Sequence, residues 1–261
     1  IDGGCLQPVE HGPVCHGVTI ESVNGYFEGY VGVDPLAGLD EIDWLLIPQQ
    51  RLRTVASGRV FHDGLDTLER ARNALQWYPK DLWLYLLACQ WQRINQEEPF
   101  MARCGDVGDE LGSRIVAARL VDEIMRLCFL TERQYAPYYK WFGKAFSRLA
   151  CAEYLTPVFH AVFDSQDWKE RERHLSAAYL HVMGMHNDLG VTDFLEPEIS
   201  PFYSRPYRVP HSGRFVNALC ARIESDTIKR LPLIGAVAQF ADSTDVLDRI
   251  HRCKKFRALY D

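Results

Sequence analysis

DVGDELGSRIVAARLVDEIMRLCFLTER, residues 106–133, is the stretch of sequence that decides the fold. Its apolar side chains recur every three or four residues, which is the period of an amphipathic α-helix. The stripe that we expect to face the core consists of Leu111, Ile115, Ala118, Val121, Met125 and Phe129. Because a helix needs neighbours to cover such a face, the pattern predicts a helical bundle.

Similar periods on both sides of this stretch predict further helices. LDTLERARNALQWY, residues 65–78, has the same spacing, and Pro79 ends it. Another helix is predicted from Lys80 to about Glu98, where Pro99 interrupts it. Downstream, we expect helices near residues 138–150, 153–163, 167–189, 212–224 and 243–257.

The N-terminal part has a different pattern. HGVTIES, residues 16–22, alternates with Val18 and Ile20 on one face and predicts a half-buried strand, and TVASGRVFHDG, residues 54–64, predicts a short hairpin. Short helices are expected in VNGYFEGYVG and DEIDWLL between them. We therefore predict a mainly α protein with a small α/β remnant: residues 1–63 form a segment of short strands and connecting helices, and residues 64–261 form the helical bundle domain.

Composition restricts the class of protein. A formal charge of -6 argues against binding to a nucleic acid, because a phosphate backbone requires a clustered basic surface. The absence of a run of about 18 apolar residues predicts no membrane span. Eight scattered cysteines without a C-x-x-C pair predict reduced thiols in a cytoplasmic protein rather than a zinc site. Because the first residue is Ile1 rather than Met, we expect that upstream residues have been removed.

Long motifs between Asp43 and Leu247 resemble an uncharacterised family, known mainly from bacteria and fungi, that joins a nucleotidyltransferase-like N-terminal region to a helical region. The segments that carry the resemblance are DWLLIPQQRL (43–52), SGRVFHD (57–63), WYPKDLWLYLLACQWQRINQEEPF (77–100), GDELGSRIVAARLVDEIMRLCFL (108–130), ERQYAPYYKWFGKAF (132–146), HNDLG (186–190) and LPLIGAVAQFADSTDVL (231–247).

The resemblance implies a two-part enzyme similar to the aminoglycoside nucleotidyltransferases. In such enzymes a small sheet domain holds Mg²⁺ and a nucleoside triphosphate through a Gly-Ser turn and an Asp-x-Asp pair, since metal ions must clamp the attacking and leaving oxygens. A helical domain contacts a small hydroxyl-bearing acceptor and often supplies a carboxylate base. Mg²⁺, a nucleoside triphosphate and such an acceptor are therefore the implied cofactor and partners.

This sequence departs from that pattern at the metal site. Its Gly112-Ser113 pair lies inside a predicted helix, and Glu41-Ile42-Asp43 has acidic spacing but precedes a helix without a Gly-Ser turn. Glu21, on the polar face of the predicted strand, is the candidate metal carboxylate, and a solvated strand residue is the competing interpretation. We expect that the catalytic half is largely missing and that the chain does not transfer a nucleotide by itself.

Two acidic clusters are candidates for the carboxylate base. Glu97 and Glu98 end a long helix, where the negative macrodipole disfavours them, and Arg103 is a plausible partner. Asp109, Glu110, Ser113 and Arg114 lie at the start of the next helix, where an acid could contact an acceptor hydroxyl and an arginine a phosphate. The competing interpretation is a charged helix terminus for Glu97 and Glu98, and capping of the helix N-terminus for the second cluster.

The segment RQYAPYYKWF combines cations with aromatic rings. Tyr138 or Trp141 could stack on a base or sugar while Lys140 meets a phosphate, and burial of Trp141 in the core is the alternative. Arg119, Glu123 and Arg126 follow helical spacing, which favours an ion-pair ladder over phosphate binding.

Three functional hypotheses follow from these features. The first is the acceptor-binding part of a nucleotidyltransferase, with Glu97, Glu98 or Glu110 as the catalytic base. The second is a helical binding module without catalysis. The third is a ribonuclease related to helical toxins, suggested by Arg205 and His211, but Pro206 and Pro210 exclude the helix on which that motif belongs.

Overall fold

The computed structural model describes residues 19–260, which are mainly helical. The helices are α1 (Val23–Tyr30), α2 (Glu41–Leu46), α3 (Gln49–Ala56), α4 (Thr67–Ala74), α5 (Lys80–Glu97), α6 (Phe100–Asp106), α7 (Glu110–Thr131), α8 (Phe142–Phe146), α9 (Ala152–Asp164), α10 (Trp168–Asp188), α11 (Gly213–Cys220), α12 (Asp226–Arg230), α13 (Val237–Phe240), α14 (Thr244–Leu247) and α15 (Ile250–Cys253). Two 3-10 helices span Tyr139–Trp141 and Lys254–Leu259. Strands β1 (Ser200–Pro201) and β2 (Arg208–Val209) pair antiparallel.

Helix α5 lies at the centre of the bundle. It packs against α7 and α11, and α7 in turn packs against α6 and α10. Its residues from Leu82 to Trp91 are all buried, so α5 is covered on every side rather than along one stripe. Two of its rings bond to backbone carbonyls: Trp83 Nε1 donates to Leu130 at 2.8 Å and the Tyr85 hydroxyl donates to Pro232 at 2.7 Å. The predicted helix from Lys80 to Glu98 is confirmed.

One hydrophobic core joins the N-terminal helices to the bundle. Phe27, Val31 and Trp44 belong to the same cluster of buried side chains as Leu87 on α5 and Tyr260 at the C-terminal end. Aspartates begin several helices, as at α10, where Asp167 Oδ1 accepts hydrogen bonds from two backbone amides. No helix within the described residues is both long and apolar enough to cross a membrane.

The predicted inner stripe of α7 is wrong in its first half. Leu111 and Ile115 are 72% and 55% exposed, whereas Ala117, Leu120 and Ile124 are buried. The predicted helix begins later than expected: α7 starts at Glu110, after Gly108 with a φ of 82°, and residues 100–106 form the separate helix α6. The apolar side chains at the start of α7 lie on its exposed face.

The predicted N-terminal strands are not present in the part of the chain that the structure describes. Val18 lies outside that part, Ile20 is 96% exposed, and residues 19–22 form no strand. The predicted hairpin is also wrong, since Thr54–Ala56 end helix α3 and residues 57–64 are irregular. Residues 19–63 therefore hold three helices and no strand, and the α/β remnant is not confirmed.

Candidate functional site

A polar groove of about 1050 Å³ lies beside α7. Its lining comes from residues 48–50, Arg93, residues 118–126, residues 136–142 and residues 238–247. We call it the arginine groove because Arg93, Arg119 and Arg126 all line it. Helices α5 and α7 supply these cations, and the segment between α7 and α8 supplies the opposite rim.

A buried hydrogen-bond network forms the floor of the groove. Glu123 on α7 is only 6% exposed, and its Oε1 accepts from Arg93 Nε at 2.8 Å and Nη2 at 2.5 Å. Its Oε2 accepts from Gln90 Nε2 at 2.5 Å, and Gln90 Oε1 accepts from Gln239 Nε2 at 2.9 Å. Burial opposes the charge of Arg93, but the hydrogen bond and charge of Glu123 raise the pKa of Arg93 above its ordinary value. The floor therefore presents a fixed cation.

A second arginine-carboxylate pair lies one turn further along α7. Arg126 Nε donates to Asp122 Oδ2 at 2.7 Å, and its Nη1 donates to the Ala238 carbonyl at 3.1 Å. The hydroxyl of Tyr139 donates to Asp122 Oδ1 at 3.3 Å, while 63% of the Tyr139 side chain remains exposed. Partial burial, followed by the charge of Asp122, raises the pKa of Tyr139. The carboxylate of Asp122 therefore lines the groove and can accept hydrogen bonds from hydroxyl groups there.

A third pair joins Arg119 on α7 to Glu97 at the end of α5. The guanidinium of Arg119 is more exposed than the other two, with 57% of its side chain accessible. The second carboxylate oxygen of Glu97 is buried and has no hydrogen-bond partner within residues 19–260. Glu97 therefore touches the groove through Arg119 rather than through a free carboxylate.

The outer rim carries a lysine and aromatic rings. Lys140 Nζ lies 5.7 Å from the ring centroids of both Tyr138 and Trp141. Within the described residues no carboxylate lies within ion-pair distance of this ammonium group. Trp141 is 58% exposed, so it is not buried in the core, but it does not line the groove. Tyr138 and Lys140 are the sequence candidates that the structure places in the groove.

The predicted ladder of Arg119, Glu123 and Arg126 does not form. Each of these side chains pairs across the groove or with a different neighbour: Arg119 with Glu97, Glu123 with Arg93, and Arg126 with Asp122. Helical spacing suggested that the three side chains would neutralise one another along α7. Tertiary packing instead separates them and leaves guanidinium groups facing a cavity.

Glu98 serves the packing between α5 and α11. It is 6% exposed, its Oε2 accepts from the Ser212 backbone amide at 3.0 Å, and burial raises the pKa of its carboxyl group. The Ser212 amide belongs to the start of α11, so the carboxylate satisfies a donor at a helix end. This position does not face the arginine groove.

Glu110 lies at the other end of α7, where it binds two arginines. Its Oε1 accepts from Arg114 Nε at 2.7 Å and from Arg171 Nη2 at 2.6 Å. The hydrogen bond from Arg171 holds the pKa of Glu110 below its ordinary value. Asp109 Oδ1 caps α7 by accepting from the Gly112 amide at 2.8 Å, and Arg103 is exposed on α6. The structure therefore places Arg103, Asp109, Glu110 and Arg114 neither in the arginine groove nor beside Lys140.

Residues 19–260 do not form a recognisable Mg²⁺ site. Glu21 is an exposed side chain before α1, and the predicted strand that would have held it is not formed. Among residues 19–260 no group of three or more His, Cys, Asp or Glu side chains could hold a metal ion. Mg²⁺ usually binds through one or two carboxylates together with the phosphates of a substrate. No set of side chains in residues 19–260 is identified as its ligands. We therefore derive no step through Mg²⁺.

Glutamines inside apolar runs are the sequence signal that could have predicted the buried network of the floor. Gln90 lies in LYLLACQW and Gln239 in IGAVAQFA, and both are fully or nearly buried in the floor network. A buried amide must find a partner, so such residues indicate a polar network. Arg93, three residues after Gln90, could not be predicted from local spacing, because its partner Glu123 is 30 residues away in the sequence.

Every residue that lines the arginine groove lies in residues 43–52, 77–100, 108–130, 132–146 and 231–247, five of the segments on which the resemblance expected from the sequence rests. A second, more open cavity of about 790 Å³ lies beside Cys151, Tyr154 and His181, and most of its lining lies outside those segments. The arginine groove is therefore the better candidate site.

Comparison with known proteins gives one match. Residues 44–142 match the model of a family described as "Domain of unknown function (DUF4037)". No curated protein and no solved structure matches the chain. The comparisons contain no indication of a nucleotidyltransferase-like region or of aminoglycoside-modifying relatives. The stretch from Trp44 to Phe142, which includes most of the groove lining, is thus similar to an uncharacterised domain.

Proposed function

We propose that this chain is the helical, acceptor-binding part of a nucleotidyltransferase-like enzyme, and that the arginine groove binds the acceptor. The reaction would transfer a nucleotidyl group from a nucleoside triphosphate to a small hydroxyl-bearing molecule. The coincidence between the groove lining and the segments that carry the family resemblance supports this assignment of the site.

The side chains of the groove suit a hydroxyl-bearing ligand. Guanidinium groups donate to hydroxyl oxygens, and the carboxylate of Asp122 accepts from hydroxyl hydrogens. The half-buried ring of Tyr138 and the exposed ring of Tyr139 line the groove and offer aromatic surface to a sugar or base. A volume of about 1050 Å³ is large enough for a small molecule with one or two rings.

Asp122 is the residue that we assign as the base. Its Oδ1 contacts the Tyr139 hydroxyl at 3.3 Å, a long hydrogen bond that a ligand hydroxyl could replace. The acceptor hydroxyl would lose its proton to Asp122 as its oxygen bonds to the α-phosphorus, and pyrophosphate would leave. Arg126 holds the carboxylate in place through Oδ2.

A binding role without catalysis is the second candidate. It is favoured by the positions of Glu98 and Glu110, which bond to Ser212 and Arg171 in the fold and do not face the groove. Under this proposal the groove would bind the same hydroxyl-bearing molecule and release it unchanged.

Small molecules are the partners that we propose for both roles, in the cytoplasm. The six cysteines within residues 19–260 are free thiols, as expected in a reducing compartment. The excess of acidic residues supports a small-molecule partner over a nucleic acid.

A transfer assay tests the enzyme proposal. The full-length protein, of which this chain is proposed to be the acceptor-binding part, is incubated with ATP, GTP, CTP or UTP, Mg²⁺ and a panel of sugars, polyols and aminosugars, and pyrophosphate release is measured. We expect release with at least one pair of substrates and a loss of at least 100-fold in Asp122→Asn. The matched control is Asp106→Asn, which changes an exposed aspartate on α6. No release with any pair, and no heat on titration with any triphosphate, would reject the enzyme and leave the binding module.

A further inference from the structure

We infer that the arginine groove contains a phosphate subsite formed by Arg93, Arg119 and Arg126, so that its ligand is a phosphorylated, hydroxyl-bearing molecule. Because the subsite concerns the same groove, this rests on the function proposed above. Two proposed ligands could supply this phosphate group: a phosphorylated acceptor that contains a ring, or a nucleoside triphosphate.

Each of the three arginines keeps unused donors. A guanidinium has five N–H groups in a planar fork. Arg93 uses Nε and Nη2 on Glu123, which leaves Nη1. Arg126 uses Nε and Nη1 on Asp122 and the Ala238 carbonyl, which leaves Nη2. Arg119 uses only Nη2. The groove therefore presents guanidinium edges that the described protein atoms do not satisfy.

The carboxylate partners hold these guanidinium groups in fixed orientations. Glu123 is buried and takes both a side-chain amide and a guanidinium, so it cannot turn away from Arg93. A side chain that is already ordered loses less conformational entropy when a ligand binds. Planar guanidinium groups in this state match the oxygen geometry of a phosphate better than a mobile lysine does.

The spacing of the cations suits an elongated anion. Arg119 and Arg126 are seven residues apart on α7, which is about two turns or roughly 10 Å along one face. Arg93 approaches that face from α5 between them, because Glu123 lies between residues 119 and 126. A phosphate near one arginine therefore leaves room for a ring or a second phosphate near another.

The groove is less acidic than the chain as a whole. Four cations and three carboxylates line the groove, whereas the whole chain has 29 Lys and Arg against 35 Asp and Glu. Asp122 and Glu123 are already bonded to guanidinium groups, so they oppose an incoming anion less than free carboxylates would. Lys140, without an ion-pair partner in the described residues, adds a mobile cation at the rim.

Titration calorimetry with four probes tests the subsite. The probes are sodium pyrophosphate, ATP, glucose 6-phosphate and glucose, each titrated into the protein at low salt. We expect at least one phosphorylated probe to bind and glucose to bind at least 10-fold more weakly. Binding of ATP without glucose 6-phosphate would assign the phosphate to the nucleotide, and the reverse would assign it to the acceptor.

Variants locate the binding in the groove. Arg93→Gln and Arg126→Gln should each weaken the phosphorylated probe at least 10-fold, whereas Arg230→Gln, an exposed arginine on α12, should change it less than 2-fold. If Arg93→Gln fails to fold by circular dichroism, Arg119→Gln replaces it, because that side chain is mostly exposed. No heat from any phosphorylated probe at millimolar concentration, or equal losses in Arg230→Gln, would overturn the subsite.

The transfer assay and the titrations fail independently. If pyrophosphate is released but the groove variants bind the phosphorylated probes as well as the unmodified protein does, the phosphate subsite is wrong and the enzyme proposal stands. If the variants lose phosphate binding but no pair of substrates releases pyrophosphate, the subsite stands and the enzyme proposal is wrong.

Discussion

Helix α7 carries arginine-carboxylate clusters in two different surroundings. At its N-terminal end, Arg171 of α10 is 1% exposed and donates to Glu110, to the Ser113 hydroxyl at 2.7 Å and to the Ser165 carbonyl. In its middle, Arg93 donates to Glu123 but keeps 29% of its side chain exposed in the groove. An arginine-carboxylate pair therefore closes a helix interface at the N-terminal end of α7 and lines an open cavity in its middle.

The difference shows which ion pairs can take part in binding. Arg171 has partners on both terminal nitrogens and no access to solvent, so its guanidinium can only stabilise the packing of α10 on α7. Arg93, Arg119 and Arg126 each have a carboxylate on one edge and unused donors on the other. A residue is therefore a binding candidate according to its unused donors rather than its charge.

Replacement of the closed cluster should have the largest effect on stability. Arg171→Ala removes the partner of the buried Ser113 hydroxyl and leaves space between α7 and α10, so we expect a loss of about 3 kcal/mol in the free energy of unfolding. Urea denaturation measures this. Arg173→Ala, on the exposed side of the same helix, should cost less than about 0.5 kcal/mol. Equal losses in the two variants would remove the distinction between closed and open clusters.

Glu123→Gln should have a smaller effect on stability but a clear effect on the groove. The substitution keeps the side-chain volume, so the main loss is the charge that faces Arg93, and we expect about 2 kcal/mol. Denaturation measures the stability, and the phosphorylated probe should bind more weakly because Arg93 is no longer held. Glu28→Gln, an exposed residue of α1, is the control. Unchanged probe binding in a folded Glu123→Gln protein would contradict the holding role.

His186 extends the comparison to a titratable group in a closed site. Its ring is 2% exposed and lies against Trp91 and Phe215, and burial lowers its pKa to about 4. Unfolded histidine binds a proton near pH 6.5, so between pH 6.5 and 4 the unfolded state binds more protons and stability falls as the pH is lowered.

The expected loss from His186 is about 2 kcal/mol between pH 7 and pH 5. Denaturation of the unmodified protein and of His186→Gln at both pH values measures it, and the variant should lack this share of the pH dependence. An identical dependence in the two proteins would show that the imidazole binds protons equally in the folded and unfolded states, which would contradict the effect of burial.

Leu111→Ala should have the smallest effect. The side chain is 72% exposed, so its removal should change the free energy of unfolding by less than about 0.5 kcal/mol, whereas Leu120→Ala, fully buried on the same helix, should cost about 3 kcal/mol. Denaturation of both variants shows which face of α7 is buried. A large loss in Leu111→Ala would restore the stripe expected from the sequence.

Helix positions could be predicted where apolar period and proline agree. Pro79 and Pro99 bracket α5, and the predicted helix between them matches the observed one. The face of α7 could not be predicted in the same way, because apolar residues lie on two sides of it. Leu111 and Leu120 look alike in sequence but lie on opposite faces of α7, and only the packing of the neighbouring helices decides which face is buried.

The candidate site was predictable only at its rim. Tyr138 and Lys140 stand out because cations and aromatic rings are adjacent in the sequence. The floor is not visible locally, since Gln90, Glu123 and Gln239 meet only after α5, α7 and the α13 segment pack together. Spacing along a single helix also suggested the wrong partners: Arg119 pairs with Glu97 across helices, and Arg126 pairs with Asp122 on α7 rather than with Glu123.

A crystal structure of the protein with sodium pyrophosphate tests most directly whether the open groove, rather than the closed cluster, binds ligand. We expect a phosphate group within about 3 Å of the unused donors of at least two of Arg93, Arg119 and Arg126. Pyrophosphate bound at another surface, with the arginine groove holding only solvent, would contradict the account.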